Sequence, residues 1–441
     1  MPTQTISYLI TPTYLIATNR LFTKVIFSSA KLANSPQQIL PVAAYLHIPF
    51  CRRRCYYCDF PITVLGERVP TDTSPLVVDY VEALCREIEL TPASRQPLTT
   101  VFFGGGTPSL LPVSLLERIL KTIENHFGIA AEAEISMEID PGTFHRERLQ
   151  GYLSAGINRV SLGVQAFQDE LLQICGRSHS RKDIFAAIDL IHRVGVANFS
   201  LDLISGLPNQ TIEQWQSSLE QAIALFPHHI SCYDLVLEPV TAFGKQYQPG
   251  KKPLPTDEDT AKMYGLADRM LTSAGYEHYE VSNYARSGSQ CRHNRIYWEN
   301  KPYYGFGMGA ASYIGGKRFT RPRTRREYYA WLEEGAVIEE PELSATDFLL
   351  ESLMLGLRLA EGVSLEQIRQ QFGTEVVEQI WTCLQPYYRQ GWVEILGRDG
   401  RTKEFESNNF CITSAARLRL TTPEGFLFSN TVLATLFEQL G

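Results

Sequence analysis

The 441-residue chain is 44% hydrophobic and 20% charged, with a formal charge of −7. That is a globular composition, and it argues against a nucleic-acid partner, because phosphate binding needs a basic surface. Nine cysteines, an odd number in a long chain, fit free thiols in a reducing, cytoplasmic setting better than a secreted disulfide framework.

The length allows two or three domains, and no run of about 18 apolar residues marks a membrane span. Residues 1–40 hold Arg20, Lys24 and Lys31 but no acid; the first acid is Asp59. That bias resembles a transit peptide, yet Thr11, Pro12, Thr13 and Thr18 interrupt any apolar core. A secretory signal is therefore disfavoured, and the segment reads as a leader, either disordered or upstream of the true start.

Residues 41–255 alternate β-rich runs (43–48, 99–104, 133–139, 158–164, 198–204, 229–237) with helical stretches. Six β-α units predict an α/β fold with a parallel sheet, doubly wound or a partial (β/α)6 barrel, and a ligand site at the strands' carboxyl edge. Residues 256–340, rich in Tyr, Arg and Gly, read as an α+β extension. Residues 341–441 give a helix-helix-strand-strand pattern that resembles a winged helix, with Ser364 and Gln367 at capping-box spacing. Glu366, Glu375 and Glu378 against Arg369 disfavour a DNA-reading role for it.

The stretch CRRRCYYCDF (51–60) places Cys51, Cys55 and Cys58 in one loop. Zinc wants four ligands, so a zinc site would need distant help from Cys291 and His293. A redox C-x-x-C would leave Cys51 unexplained. An iron–sulfur cluster accounts for all three thiolates and leaves one iron open. Arg52, Arg53 and Arg54 would favour thiolate over thiol. The other cysteines (85, 175, 232, 383, 411) fall singly and read as core thiols.

Further along, FFGGGTPS (102–109) suggests close backbone approach to a ligand, with Thr107 capping the next helix, Pro108 at its first position and free N–H groups facing a carboxylate. Glu138 and Gln165 close the third and fourth strands, Arg177 follows, and Asp202 stands in an apolar strand, where a buried acid needs a partner.

The C-x3-C-x2-C loop after a first strand resembles the radical S-adenosylmethionine (SAM) superfamily. The resemblance implies a partial-barrel radical SAM core, a [4Fe–4S] cluster on Cys51, Cys55 and Cys58, and SAM on the fourth iron. It also implies an electron donor, since one electron cleaves SAM to methionine and a 5′-deoxyadenosyl radical. Together YLHIPFC, GGGTP, EIDP, GVQ, GRSH and DLISGLP resemble the oxygen-independent coproporphyrinogen oxidase group, over about residues 43–430. That match assigns Tyr45, Gly105 and Glu138 to a first SAM, and Tyr57, Gly106, Thr107, Gln165, Arg177 and Asp202 to a second.

The oxidases carry a fourth cysteine two residues after the third, where this chain has Phe60. The H-N-x-x-Y-W segment from His293 to Trp298, with G-x-G-x-G-A at 305–310, resembles the HemW-type heme chaperones. That resemblance implies heme as bound cargo and an unidentified acceptor protein. His293 and Tyr297 are spaced to share a helix face, and imidazole or phenolate can ligate heme iron. Trp298, Tyr303 and Tyr304 could stack on a porphyrin, and Arg292 or Arg295 could pair with propionates. The expected function is heme chaperoning. Decarboxylation of coproporphyrinogen III is the alternative, and methyl transfer or another tetrapyrrole modification is a third.

Overall fold

A computed structural model describes residues 40–67, 74–94, 96–338, 341, 343–397 and 416–441. The expected leader, apart from Leu40, and Cys411 lie outside the described residues.

AAYLHI forms β1 (Ala43–Ile48), followed by a two-residue pairing of β2 (Phe50–Cys51) with β3 (Thr63–Val64). Next come α1 (Pro75–Leu90), β4 (Leu98–Gly105), α2 (Val113–Phe127), β5 (Ile129–Ile139), α3 (Arg146–Ser154) and β6 (Arg159–Gln165). After these follow α4 (Asp169–Ile174), α5 (Arg181–Val194), β7 (Phe199–Ser205), α6 (Ile212–Ala224) and β8 (His229–Asp234). Strands β1, β4, β5, β6, β7 and β8 are parallel neighbours in that order. This is the expected six-unit α/β sheet. Its strands read as continuous apolar runs because helices cover them, and Leu46, Phe103, Met137, Leu162 and Leu201 are all fully buried.

The next elements are α7 (Ala242–Gln246), α8 (Asp257–Ser273), β9 (Glu277–Glu280), β10 (Asn283–Ala285), α9 (Arg292–Trp298), β11 (Tyr304–Phe306), β12 (Ala311–Ile314), β13 (Lys317–Thr320) and α10 (Arg325–Glu333). Strands β9, β10 and β11 extend the same sheet at its two ends, whereas β12 and β13 form a separate two-stranded sheet. β11 runs parallel to β1, β10 pairs antiparallel with β8, and β9 lies beyond it. Strands of three or four residues are too short to show a period of two, so the sequence pattern could not place them.

The C-terminal part comprises α11 (Ala345–Gly356), β14 (Val363–Ser364), α12 (Leu365–Phe372), α13 (Thr374–Arg389), β15 (Val393–Leu396), β16 (Arg417–Leu420), α14 (Glu424–Leu427) and α15 (Ser429–Leu440). Its sheet has the order β14-β16-β15. Leu353, Val377, Leu384, Ile395, Leu418 and Leu436 form a core of its own. Half of the expected capping box is made: the Gln367 N–H donates to Ser364 Oγ at 3.3 Å, without the return bond from the Gln367 side chain. Among the described residues no helix is long and apolar enough to cross a membrane.

This part joins the larger sheet at β9, where Val281 N–H donates to Arg358 O and Ala360 N–H to Tyr279 O, both at 3.0 Å. Glu280 is fully buried beside the joint and accepts from Ser282 N–H and the Asn283 amide. Burial pushes its carboxyl up to about 7. A folded-state pKa above the unfolded value means that the contribution is complete below the ordinary carboxylate range and is lost as pH rises through about 7. Glu280→Gln removes that titration. Between pH of about 5 and about 8 the melting temperature of the variant, relative to the unmodified protein, is expected to rise. A pH-independent difference would contradict the assignment.

Candidate functional site

The carboxyl ends of the parallel strands open into a cavity of about 680 Å³. Cys51, Cys55 and Cys58 line it together with Tyr45, Tyr57, Gly105, Gly106, Thr107, Glu138, Gln165, Arg177 and Asp202. All twelve residues expected to serve the cluster and SAM therefore meet in one space.

The cysteine loop is held at several points. Thr63 N–H donates to Pro49 O at 2.7 Å, Leu65 N–H to Cys51 O at 2.8 Å and Tyr56 N–H to Cys175 O at 3.0 Å. The three thiols are unpaired and partly exposed, whereas Cys85, Cys175, Cys232, Cys291 and Cys383 are buried. Among the described residues no three His, Cys, Asp or Glu side chains converge as ligands of a single ion. Zinc from the triplet with Cys291 and His293 is thus not assembled: Cys291 Sγ faces Glu134 instead, at 3.7 Å. Thiols spread around one loop and facing one cavity suit a polynuclear cluster, in which each sulfur takes a different iron.

The expected effect of Arg52–Arg54 on the thiols is not the dominant one. Arg52 donates to Gly142 O, Arg53 pairs with Glu67, and Arg54 donates to the carbonyls of Cys58 and Phe60. Burial prevails and pushes Cys51 and Cys58 up to about 12. The guanidinium that does reach a thiol is Arg177, with Nη1 3.4 Å from Cys55 Sγ. Arg177 is itself held by an ion pair with Asp140 and by Gly163 O at 3.2 Å. Its Nε has no hydrogen-bond partner among the described residues.

Asp140 was not singled out from sequence, yet it is a hub. It pairs with Arg177, accepts from the Thr107 hydroxyl at 3.3 Å, and takes Ser109 Oγ on its own N–H at 3.1 Å. The signal was present in EIDPG, where Asp140 lies two residues beyond Glu138.

Thr107 does not cap a helix as expected. Pro108–Leu110 form a short 3-10 turn, α2 starts only at Val113, and the Thr107 hydroxyl turns to Cys51 Sγ and Asp140. The backbone N–H groups of Gly106 and Thr107 go to Ile48 O and Phe50 O. Only Gly105 N–H meets a carboxylate, Glu138 at 3.0 Å. The glycines are demanded by the protein's own packing. Gly105 has φ of 115°, and a Cβ on Gly106 would lie 2.7 Å from Phe50 O.

Glu138 is buried, which pushes its carboxyl up to about 8. Gln165 sits at a bulge with φ of 65°, a left-handed conformation uncommon for a residue with a Cβ. The expected partner of Asp202 is Ser161, whose hydroxyl lies 2.9 and 3.0 Å from its two carboxylate oxygens. Burial raises Asp202 above the ordinary range, opposed by hydrogen bonds from Ser231 and Ser161. His47 was also missed. Its Nε2–H donates to Pro61 O at 2.8 Å, which leaves Nδ1 to accept from the Tyr45 hydroxyl at 3.0 Å.

The expected heme residues divide. His293 and Tyr297 share one face of α9, are 2.8 Å apart (Nε2 to hydroxyl), and line the cavity with Tyr303. His293 is fully buried, stacks on Phe102 and meets Thr100 Oγ1 through Nδ1 at 2.8 Å; burial lowers its pKa to about 3. The ring is thus neutral, as a heme ligand must be. Trp298 is not brought to the cavity: it packs with Leu355 and Leu359 of the C-terminal part. Tyr304 stacks on Phe306 and packs at a tilt against Phe127. Arg295 pairs with Glu299 and Glu361, and Arg292 donates to Glu132 O.

The start of α9 is fixed by Glu134 of β5, whose two oxygens accept from Arg292 and His293 N–H at 3.0 Å each. An acid at a helix N-terminus meets both unsatisfied donors and the positive end of the dipole. Glu134→Ala orphans both donors and should cost about 1–3 kcal/mol in urea unfolding; an unchanged midpoint would show that the contact is idle.

Two family models match, the radical SAM superfamily over residues 45–222 and the HemN C-terminal domain over residues 343–402. The chain is 53% identical to heme chaperone HemW of Synechocystis over 411 residues, 92% of this chain and 99% of that one. It is 37% identical to heme chaperone HemW of Escherichia coli, covering 73% of this chain and 83% of that one. The solved structure of coproporphyrinogen III oxidase (HemN) from Escherichia coli, a radical SAM enzyme, aligns with a TM-score of 0.73 at 23% identity over 91% of each chain. That last likeness concerns the fold.

Proposed function

This chain belongs to the HemW heme chaperones of the radical SAM superfamily, and from that premise we propose that it binds heme and hands it to an acceptor protein. One observation carries the reading: the cysteine triplet and the His293–Tyr297 pair line a single cavity, with Phe60 on its wall where the oxidase pattern has a fourth cysteine.

Cys51, Cys55 and Cys58 would hold a [4Fe–4S] cluster, and the protons that burial holds on Cys51 and Cys58 would leave as iron binds. When bound, such a cluster supplies the single electron that SAM cleavage consumes. Around it the protein's own groups have distinct tasks. Arg177, oriented by Asp140, places positive charge beside Cys55. Glu138 offers an acceptor to the ammonium of SAM while bracing Gly105. Gln165, Arg177 and Asp202, with Tyr57, Gly106 and Thr107, are the groups for a second SAM. His293 and Tyr297 are the candidates for heme iron; a bond from His293 Nε2 to iron would displace the Tyr297 hydroxyl. The free thiols of the described residues support a cytoplasmic setting. An electron donor and a heme acceptor are the expected partners.

The alternative, decarboxylation of coproporphyrinogen III, makes the opposite prediction in one assay. Anaerobic protein with cluster, SAM, dithionite and coproporphyrinogen III is expected to form no protoporphyrinogen IX beside an active oxidase control. Its accumulation would replace the chaperone reading.

A further inference from the structure

Arg159, the first residue of β6, is 3% exposed and lines the cavity. Among the described residues its side chain has no hydrogen bond and no ion pair, and its buried Nε is without a partner. The other arginines that line the cavity each have at least one side-chain partner. Arg177 is held by Asp140, Arg321 by Glu87 and Arg323 by Asp59. A buried guanidinium without a hydrogen-bonded counter-ion is costly.

Its neighbours narrow what would satisfy it. His229 has both ring nitrogens engaged, with Ser200 and Tyr279, and Ser161 is spent on Asp202. Burial works against the charge on Arg159, and the nearby Cys291, Glu134, Tyr279 and Asp202 outweigh it, so that its pKa lies above the ordinary value; the carboxylates among them are Glu134 and Asp202. Each already has partners of its own: Ser161 for Asp202, and the Arg292 and His293 N–H groups for Glu134. Those acids would repel a polyanion such as a phosphate diester chain or diphosphate. A planar, singly charged carboxylate matches the guanidinium fork.

We propose that Arg159 seats the carboxylate of a bound ligand at the deep end of the cavity. Two carboxylate bearers belong to this site, heme through its propionates and SAM through its methionine moiety; the heme case rests on the chaperone reading, whereas the SAM case does not.

The experiment uses full-length, cluster-loaded protein, unmodified and as Arg159→Gln and Arg159→Lys. Each is titrated with heme, with heme whose propionates are both esterified, and with SAM. Loss of a charge-assisted hydrogen bond is expected to weaken the carboxylate ligand by about 10–100-fold in Arg159→Gln, with Arg159→Lys intermediate. If heme weakens and its diester does not, the seated group is a propionate. If SAM weakens, the seated group is the carboxylate of SAM. Unchanged affinity for both ligands overturns the proposal. A purely structural Arg159, balancing Asp202 and Glu134, would instead show a lowered melting temperature in Arg159→Gln with both affinities intact, and this also overturns it. If the unmodified protein binds no heme, the chaperone reading fails while the SAM titration still decides the fate of Arg159.

Discussion

Changing Cys51, Cys55 or Cys58 to alanine is expected to abolish iron retention and the visible charge-transfer absorption of thiolate-bound iron, each singly and to the same degree. The three thiols face one cavity from one loop, and no other described cysteine lines it. With one thiolate gone, two remain for a cluster that needs three. The fold should survive. The loop is pinned by backbone hydrogen bonds that do not involve the thiols, from Thr63, Leu65 and Tyr56, so the far-ultraviolet circular dichroism should be unchanged. Cys175→Ala, a buried cysteine whose carbonyl receives the Tyr56 N–H, is the matched control and should keep its iron. Full iron content in any of the three variants would remove the cluster assignment.

The second large effect concerns stability. Glu87 of α1 is 1% exposed and its carboxylate carries three interactions. It pairs with Arg321 at 2.7 Å, and accepts from Gly307 N–H and the Tyr328 hydroxyl, each at 2.7 Å. Arg321 in turn reaches Ser312. This network fixes the segment after β11, including Gly309 and Ala310 on the cavity wall, against the first helix of the core. Glu87→Ala leaves a buried guanidinium without its carboxylate and should cost about 3–5 kcal/mol in chemical unfolding. The double variant Glu87→Leu with Arg321→Met removes both charges and should recover much of that loss. An exposed pair gives the contrast: Arg53 and Glu67 keep about half of their side-chain surface, and Arg53→Ala should cost less than about 1 kcal/mol. Equal costs for Glu87→Ala and Arg53→Ala would contradict the network's role.

How far the sequence carried differs by element. Long buried strands such as AEISMEI and long amphipathic helices such as SRKDIFAAIDLIHRVG announced themselves by apolar pattern, so the six β-α units and the position of the site at their carboxyl edge were legible. The residues of the cavity were legible because the motifs that carry the family resemblance sit at strand ends. What escaped was anything set by contacts distant in sequence. Asp140 is a hub only because Arg177 and Thr107 arrive from other loops. Glu134 caps α9 from 158 residues away. Trp298 shares the H-N-x-x-Y-W motif with His293 and Tyr297, but the helix turns it toward Leu355 and away from the cavity. The run Arg52–Arg54 looked like charge laid beside the thiols, whereas Arg177, far along the chain, makes that contact.

The cavity beside the cysteine loop is where heme is expected to be carried. The most direct test is an anaerobic heme titration of the cluster-loaded protein, followed through the Soret band. With heme seated beside Phe102, His293 and Tyr297, the Soret band should change saturably at one site, and His293→Ala should shift or weaken that change. A linear, non-saturating increase, identical in the unmodified protein and in His293→Ala, would contradict that seating.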